Sequence, residues 1–586
     1  MAKANSIKLN NSNNFNSNNF NSNNSKSNKY KKKEQQQKQN KLKFTKNPII
    51  KKHYTKLLIL SILLIFAIRL MASFMITDFS LNDGIYHLSV SKEIAETGKI
   101  PFSNYEMPPP LVHIILAGLY LLFGELNSII YPILLLVFSL PISYYLLKEF
   151  NQYFQIKNKE KITIIGLFLL NLQPLISVYS SVNYTGPIAA TLSMLFYYLL
   201  FKYFNKNNSC SEKKIDFIYY SLFILIISLI SLTKLNSLTI VIPNILLITA
   251  LWYYKSKKIF TSAILFLIMS FMGFFWYIFN YFRIGSFFAA GAEVGNLTKA
   301  SFLSYIIKDP INYIIDFFNY IWYFPNVSVF QNFIPFPNFL KIGFFVFSII
   351  IFLPLFYYIF KYVKKIIQII YGRIKNPKKF LNIKKEFSEK NIILFFIFSS
   401  LITSLIPVIA RASIGAYLRL FIPAIPALIL LMLITYQKLS LIHNKKIIWV
   451  YEKLIILLVI YCSLILIFTA FHYNSDQQQL SSIYESVVLI TNSTDKDITF
   501  AGHPHLKRPV EKLTGQKYFE ISPETEKTQN EFLFLELLQK ENVDYIITNC
   551  VKSQPTDLYV KSLAEKNLIQ KTIYSNSCNA IYWIIN

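Results

Sequence analysis

LVHIILAGLYLLFG, residues 111–124, is the stretch on which the fold turns, because whether it crosses a membrane sets the orientation of everything after it. It is shorter than the roughly 20 apolar residues a spanning helix needs. It follows Pro108-Pro109-Pro110 and ends in Gly124-Glu125. Around it lies a chain of 586 residues, 53% hydrophobic, with 52 phenylalanines and a mean hydropathy of +0.38. Apolar runs of span length recur throughout, which reads as a polytopic membrane protein. Open strands cannot satisfy their backbone groups in lipid, so the expected fold class is an all-α transmembrane bundle. Eleven spans are expected, at 57–76, 128–147, 162–180, 187–204, 216–233, 235–254, 259–278, 341–360, 391–410, 416–436 and 454–472.

Charge decides the reading of 111–124. The formal net charge is +29, yet nearly every basic cluster abuts an apolar run, which argues against a nucleic-acid partner and for cytosolic loops that collect Lys and Arg. Residues 1–56 hold fourteen basic residues against one acid, in a NNSNNFNSNNFNSNNS repeat and a lysine-rich tract too poor in apolar residues to order themselves. They read as a disordered cytosolic tail. Loop 361–390 carries ten basic residues against two acids. If 111–124 lies at the membrane surface, this loop falls on the tail's side; if it crosses, the two are opposed. We therefore read it as an interfacial or re-entrant helix, with a twelve-span protein as the alternative.

That topology puts the first loop, 77–127, and the C-terminal segment, 473–586, away from the cytosol. The sequons at Asn183, Asn296, Asn326 and Asn492 fall on the same side. The first loop is acid-bearing in a basic protein: NDGIYHLSVSKEIAETGKIPFSNYEMPPP, residues 82–110, sets Asp83, Glu93, Glu96 and Glu106 against Lys92 and Lys99. Asp83 stands at the start of a short helical run, where negative charge is favoured, with Tyr86 and His87 just beyond it. A carboxylate there is a candidate general base or metal ligand; a solvated interfacial charge is the bland alternative. Glu106 ranks second.

The C-terminal segment reads as a small α/β domain: KDITFAGH, VDYIITNC and NAIYWII as strands, NEFLFLELLQKE and DLYVKSLAEK as helices. Cys550 and Cys578 lie in it, in a compartment that permits a disulfide.

The order of motifs resembles a known family. One N-terminal span, a loop of form D-x-x-Y-H, then A-x-T-G-x-I-P-F, a proline-led helix ending in L-F-G, WYIFNYFRIGSFF at 276–288 and YLRLFIPAIPALILL at 417–431 are similar to the GT-C fold glycosyltransferases that use polyprenyl-phosphate sugars. Within that fold the chain looks most like the protein-mannosyltransferase and aminoarabinose-transferase group, glycosyltransferase family 39. The resemblance covers 57–472. It implies an inverting transfer of a sugar from a polyprenyl-phosphate donor to an acceptor hydroxyl on protein, lipid or glycan, at the extracytosolic face of a cell membrane or endoplasmic reticulum. By motif position Asp83 corresponds to the catalytic carboxylate. The leaving phosphate needs positive charge, for which Arg411 and Arg419 are the first candidates and Lys234 and Arg283 the helpers. Tyr86, His87, Glu106 and Tyr417 are candidates for the substrate cavity.

The chain also departs from the group. Asn82 precedes Asp83 where several relatives carry an Asp-Glu doublet, and the turn SSVNYTG at 180–186 has no carboxylate. Whether a divalent metal takes part is left open. A transporter or lipid flippase is the alternative from another class. Against it, the spans are almost uncharged, Arg69 excepted, and no internal repeat is visible. A membrane scaffold that recruits partners through the C-terminal domain is a third reading.

Overall fold

The computed structural model describes residues 48–76, 82–100, 109–207, 213–284, 349–358, 360–361, 364, 368, 389–409, 418–439, 445–494, 497–502, 504–521, 531–548, 555–574 and 580–584. The chain separates into two units, Met1–Ser61 and Ile62–Asn586. In the first unit the described residues form the opening of helix α1 (Pro48–Met75), where the Ser61 hydroxyl donates to the Leu57 carbonyl at 2.8 Å. Everything else below belongs to the second.

Among the described residues, eight helical segments are long and apolar enough to cross a membrane. They are His53–Met75, Leu111–Tyr153, Thr185–Lys206, Leu235–Ser256, Ile259–Arg283, Glu389–Ile406, Leu420–Leu439 and Ile448–Phe471. The protein is an integral membrane protein built mainly of helices. At two further expected spans the described residues hold shorter apolar helices, Asp216–Ser231 and Ile349–Tyr358, and residues 341–348 and 359 of the second span lie outside the described residues. The expected span 162–180 is corrected: it is two helices, Lys159–Leu172 and Pro174–Tyr179. Gln173 between them is extended, with ψ 127°, and its side-chain oxygen accepts from the Ile176 amide at 2.9 Å. Pro174 causes the break, since it lacks an N–H and pushes the residue before it out of helical geometry.

After α1 the chain forms α2 (Asn82–Thr97) and α3 (Leu111–Phe123). A 3-10 turn at Gly124–Leu126 then leads into α4 (Asn127–Tyr153). Thirteen residues at about 1.5 Å each give α3 roughly 20 Å, against about 30 Å of hydrocarbon. Its two ends are tethered to the same end of the bundle. At its start the Leu111 amide donates to the Leu232 carbonyl at 3.0 Å, and just past its finish the Asn183 side-chain amide donates to the Ser128 carbonyl at 3.0 Å. Leu232 and Asn183 belong to neighbouring turns, because Lys234 contacts Tyr184. Gly124, at φ 61°, makes the sharp exit, its amide capping the Tyr120 carbonyl. Leu88, Val112, Leu116, Leu119, Tyr131 and Leu135 form the apolar cluster that seats α3 between α2 and α4.

The chain continues as α5 (Lys159–Leu172), α6 (Pro174–Tyr179), α7 (Thr185–Asn207), α8 (Lys213–Ser231), α9 (Leu238–Ser256) and α10 (Ile259–Ile284). Further on come α11 (Ile349–Tyr358), α12 (Glu389–Ile409), a 3-10 turn at Leu418–Ala424 and α13 (Ile425–Leu439). The end remote from α3 is closed by polar pairs. Lys255 meets the Asp216 carboxylate at 2.8 Å, the Tyr153 hydroxyl donates to Glu389 at 2.8 Å, and Lys161 pairs with Glu452.

The sequence boundary at 472/473 falls inside one continuous helix, α14 (Lys445–Ser493). Its 49 residues reach roughly 74 Å at about 1.5 Å per residue. It carries the chain into a five-stranded sheet of order β2-β1-β3-β5-β4. The strands are β1 (Thr499–Gly502), β2 (Lys517–Glu520), β3 (Tyr545–Thr548), β4 (Ile569–Tyr574) and β5 (Ala580–Ile584); β2, β1 and β3 are parallel, while β5 and β4 run antiparallel. Alternation along the strands feeds two cores. Ala501, Ile546 and Tyr582 face Phe534 and Leu538 of α16 (Glu531–Lys540) and Val560 and Leu563 of α17 (Pro555–Glu565). Phe500, Ile547 and Ile581 face Ile483 and Val487 of α14 and Leu506 and Val510 of α15 (Pro504–Thr514). All five elements expected here are present. The sequence reading missed α15, β2 and β4. α15 also packs against α2, so this α/β unit sits at the α3 end of the bundle.

Candidate functional site

The polar end of the bundle is built around α2. An acid in the first turn suits the helix dipole, and Asp83 is the second residue of this helix. Gly98, at φ 66°, ends it, with its amide on the Ile94 carbonyl at 2.8 Å. For Asp83 the structure describes the backbone alone. One helical turn on, at the i,i+4 spacing that places two residues on one face, stands His87. It is 8% exposed, and its Nδ1 lies 2.9 Å from Nε2 of His113 in α3. Tyr86 stands edge-on to both rings, with centroids at 5.4 and 6.3 Å. On the outer face Lys92 lies 3.4 Å from Glu125, whose charge raises the lysine's pKa. These contacts fix α2 on α3.

Tyr184 connects this pair to a cation. It is buried in the turn between α6 and α7, its ring edge-on to His87 at 5.9 Å and against Tyr179 at 4.7 Å. The Lys234 ammonium lies 4.3 Å from the ring centroid and donates to the Tyr184 hydroxyl. Deeper in the bundle, Arg69 of α1 is 1% exposed and donates to the Ser139 hydroxyl at 3.1 Å and to that of Ser180. It thereby ties α1 to α4 and to the turn that leads to Tyr184. Its Nε has no partner among the described residues.

The other expected residues are placed unevenly. Arg283 is exposed near the end of α10, just beyond Tyr277, whose hydroxyl donates to the Ser231 carbonyl at 3.1 Å; it therefore lies at the polar end. The backbone of Arg419 belongs to the 3-10 turn Leu418–Ala424, which meets the same end where the Asn236 side-chain amide donates to the Leu420 carbonyl at 2.5 Å. Its side chain, with Glu106, Arg411, Tyr417, Cys550 and Cys578, lies outside the described residues. The structure thus brings together Tyr86, His87 and Lys234, and sets the backbones of Asp83 and Arg419 at the same end. Sequence reasoning missed His113 and Tyr184. A lone imidazole in the apolar run LVHIILAGLYLLF was a signal for the first; nothing local distinguishes the second from 38 other tyrosines, of 39 in the chain.

The arrangement offers an imidazole pair, a phenol and a lysine ammonium beside a helix that begins with an acid. A base on that helix and a cation across from it suit chemistry in which a proton leaves one oxygen while negative charge develops on another. Among the described residues, no three His, Cys, Asp or Glu side chains converge as a metal site would need.

No protein-family model matches the chain, and no curated protein matches it in sequence. Among solved structures it is similar to ArnT from Cupriavidus metallidurans bound to undecaprenyl phosphate, at 12% identity and a TM-score of 0.45, over 90% of this chain and 98% of that one. It is similar to the Archaeoglobus fulgidus oligosaccharyltransferase in complex with zinc and sulfate, at 12% identity and a TM-score of 0.47, over 89% of this chain and 73% of that one. A third is the Archaeoglobus fulgidus oligosaccharyltransferase AglB with an inhibitory peptide and a dolichol-phosphate, at 13% identity and a TM-score of 0.42, over 90% and 74%.

Proposed function

We propose that this chain is a membrane glycosyltransferase that moves a sugar from a polyprenyl-phosphate donor to an acceptor hydroxyl, with inversion, on the extracytosolic side. The observation that carries the reading is the meeting at one end of the bundle of the helix that opens with Asn82-Asp83 and the Lys234 ammonium, joined through His87 and Tyr184. The sequence resemblance to the polyprenyl-phosphate-sugar transferases supplies the reaction class.

In this reading Asp83 takes the proton from the acceptor hydroxyl, whose oxygen attacks the anomeric carbon from the face opposite the phosphate. The new carbon–oxygen bond forms as the bond to the phosphate oxygen breaks, and polyprenyl phosphate leaves with the electron pair. A positioned base of this kind contributes about a hundred- to ten-thousand-fold. Lys234, Arg419, Arg411 and Arg283 meet the phosphate charge. Tyr86, His87, Glu106 and Tyr417 border the sugar and acceptor. The lipid tail lies against the apolar helix faces, and the extracytosolic α/β unit stands over this end through the contact of α15 with α2.

The test uses purified protein in lipid with a radiolabelled undecaprenyl-phosphate sugar. Asp83→Asn is expected to abolish transfer while leaving folding and donor binding intact. Undiminished turnover would remove Asp83 from the reaction, and no transfer by the unaltered protein with any lipid-phosphate sugar would remove the activity itself.

A further inference from the structure

We infer that Tyr184 is a positioning residue that holds the Lys234 ammonium at the polar end of the bundle and links it to the helix bearing Asp83. This deepens the transfer reading above and rests on it, naming the group that aims the charge meeting the donor phosphate.

Tyr184 is 1% exposed and fixed from several sides. Its amide donates to the Val182 carbonyl at 2.8 Å, and its carbonyl accepts the Tyr131 hydroxyl at 3.2 Å. The ring packs on Tyr179 and meets the edge of His87. Gly186, two residues on, leaves room beside it: a Cβ there would stand 3.2 Å from both the Tyr184 ring and the Ile422 side chain, a tight approach. Ile422 lies in the 3-10 turn that begins Leu418-Arg419, so that turn passes close to Gly186 beside the ring.

Lysine is a point charge on a flexible four-carbon stem, and its head wanders unless something holds it. Here both the ring face and the phenol oxygen attract it. The backbone of Lys234 is extended, at φ −162° and ψ 148°, and its side chain crosses to a residue 50 positions earlier in the chain. An ammonium has three donors. One is kept on Tyr184, so the lysine meets the donor phosphate already oriented.

The experiment compares Tyr184→Phe, which keeps the ring and removes the hydroxyl, with Lys234→Met and the double variant. In steady-state transfer, Tyr184→Phe is expected to raise the donor KM about tenfold and to leave kcat and acceptor KM within about twofold of the parent. Lys234→Met is expected to raise the donor KM at least as much. The double variant should be no worse than Lys234→Met, because contacting residues act as one unit rather than additively. The same comparison is made by binding of undecaprenyl phosphate, read as protection of the purified protein against thermal unfolding. That readout needs no sugar transfer, so it judges the Tyr184–Lys234 coupling even where the unaltered protein transfers nothing, a result that would sink the transfer reading separately. Multiplicative effects of the two substitutions on binding overturn the proposal, as does a Tyr184→Phe effect confined to kcat or to the acceptor. Should Tyr184→Phe melt early, Tyr184→His, which keeps an aromatic acceptor, decides: recovered lipid-phosphate binding supports the positioning role, and binding no better than in the Phe variant ends it.

Discussion

The amide of Leu111 donates to the carbonyl of Leu232 across 3.0 Å. This single backbone bond pins the start of α3 to the turn from which Lys234 and α9 emerge. The far end of α3 is held to the same end of the bundle by Asn183 on Ser128. A helix with both ends at one end does not carry the chain across.

This geometry predicts the sidedness of two exposed positions. Glu125 follows α3, whereas Lys257 sits in the left-handed turn after α9, at the opposite end. Single cysteines at these positions, in a background without the four native cysteines, should label from opposite faces with an impermeant thiol reagent in intact cells. Glu125→Cys is expected to react from outside and Lys257→Cys only after permeabilisation. The reversed pattern, with Lys257→Cys reacting from outside and Glu125→Cys only after permeabilisation, would mean that α3 crosses.

The imidazole pair should matter to stability. His113→Leu removes the partner 2.9 Å from His87 Nδ1, and leaving a buried polar atom unsatisfied costs about 1–3 kcal/mol. A lowered midpoint in detergent melting is expected, with His113→Gln recovering part of the loss because its amide can still reach a ring nitrogen. Equal melting of the Leu variant and the parent would mean that the pair contributes nothing.

Gly502 closes β1 where no side chain fits. A Cβ there would lie 2.6 Å from the Ile547 carbonyl oxygen on β3 and 2.6 Å from the Tyr518 hydroxyl. Backbone oxygen in a paired strand cannot step aside, so Gly502→Ala is expected to destabilise the α/β unit by about 1–3 kcal/mol. Hydrogen exchange at Phe500–Gly502 and Tyr545–Ile547 should rise, while α9 and α10 keep their protection.

The same corner gives a pH dependence. Burial holds the Tyr518 hydroxyl well above the ordinary phenol range. The folded-state value is raised, so the stability it confers is complete below the unfolded value of about 10 and is lost as pH climbs from there toward the folded one. Exchange protection of β1 and β2 should therefore fall on the alkaline side of pH 10. Tyr518→Phe should flatten that fall, and an identical alkaline profile in the Phe variant would assign the effect elsewhere.

Much of the architecture was legible in the chain itself. Runs such as residues 454–472 and 259–278 are apolar enough that only a helix in lipid suits them, and the period-two pattern of VDYIITNC and NAIYWII announced strands. Helix α15 escaped notice because PHLKRPVEKLT contains two prolines and reads as a turn, although Leu506 and Val510 place one face in the core. The break at Gln173 was likewise written in the following proline and was overlooked beside the hydrophobicity of LNLQPLISVYS.

The sequence by itself determined that this is a helical membrane protein with an acid-opened helix after its first span and an α/β unit at its C-terminus, because hydrophobic period, proline and charge act over a few residues. Only the tertiary structure decided that His87 meets His113, 26 positions away, and that Lys234 rests on Tyr184, 50 positions away. Such contacts depend on which turns share an end of the bundle, and that is set by α3 folding back on α2 and by Gly186 admitting a neighbour, neither of which leaves a periodic trace in the chain.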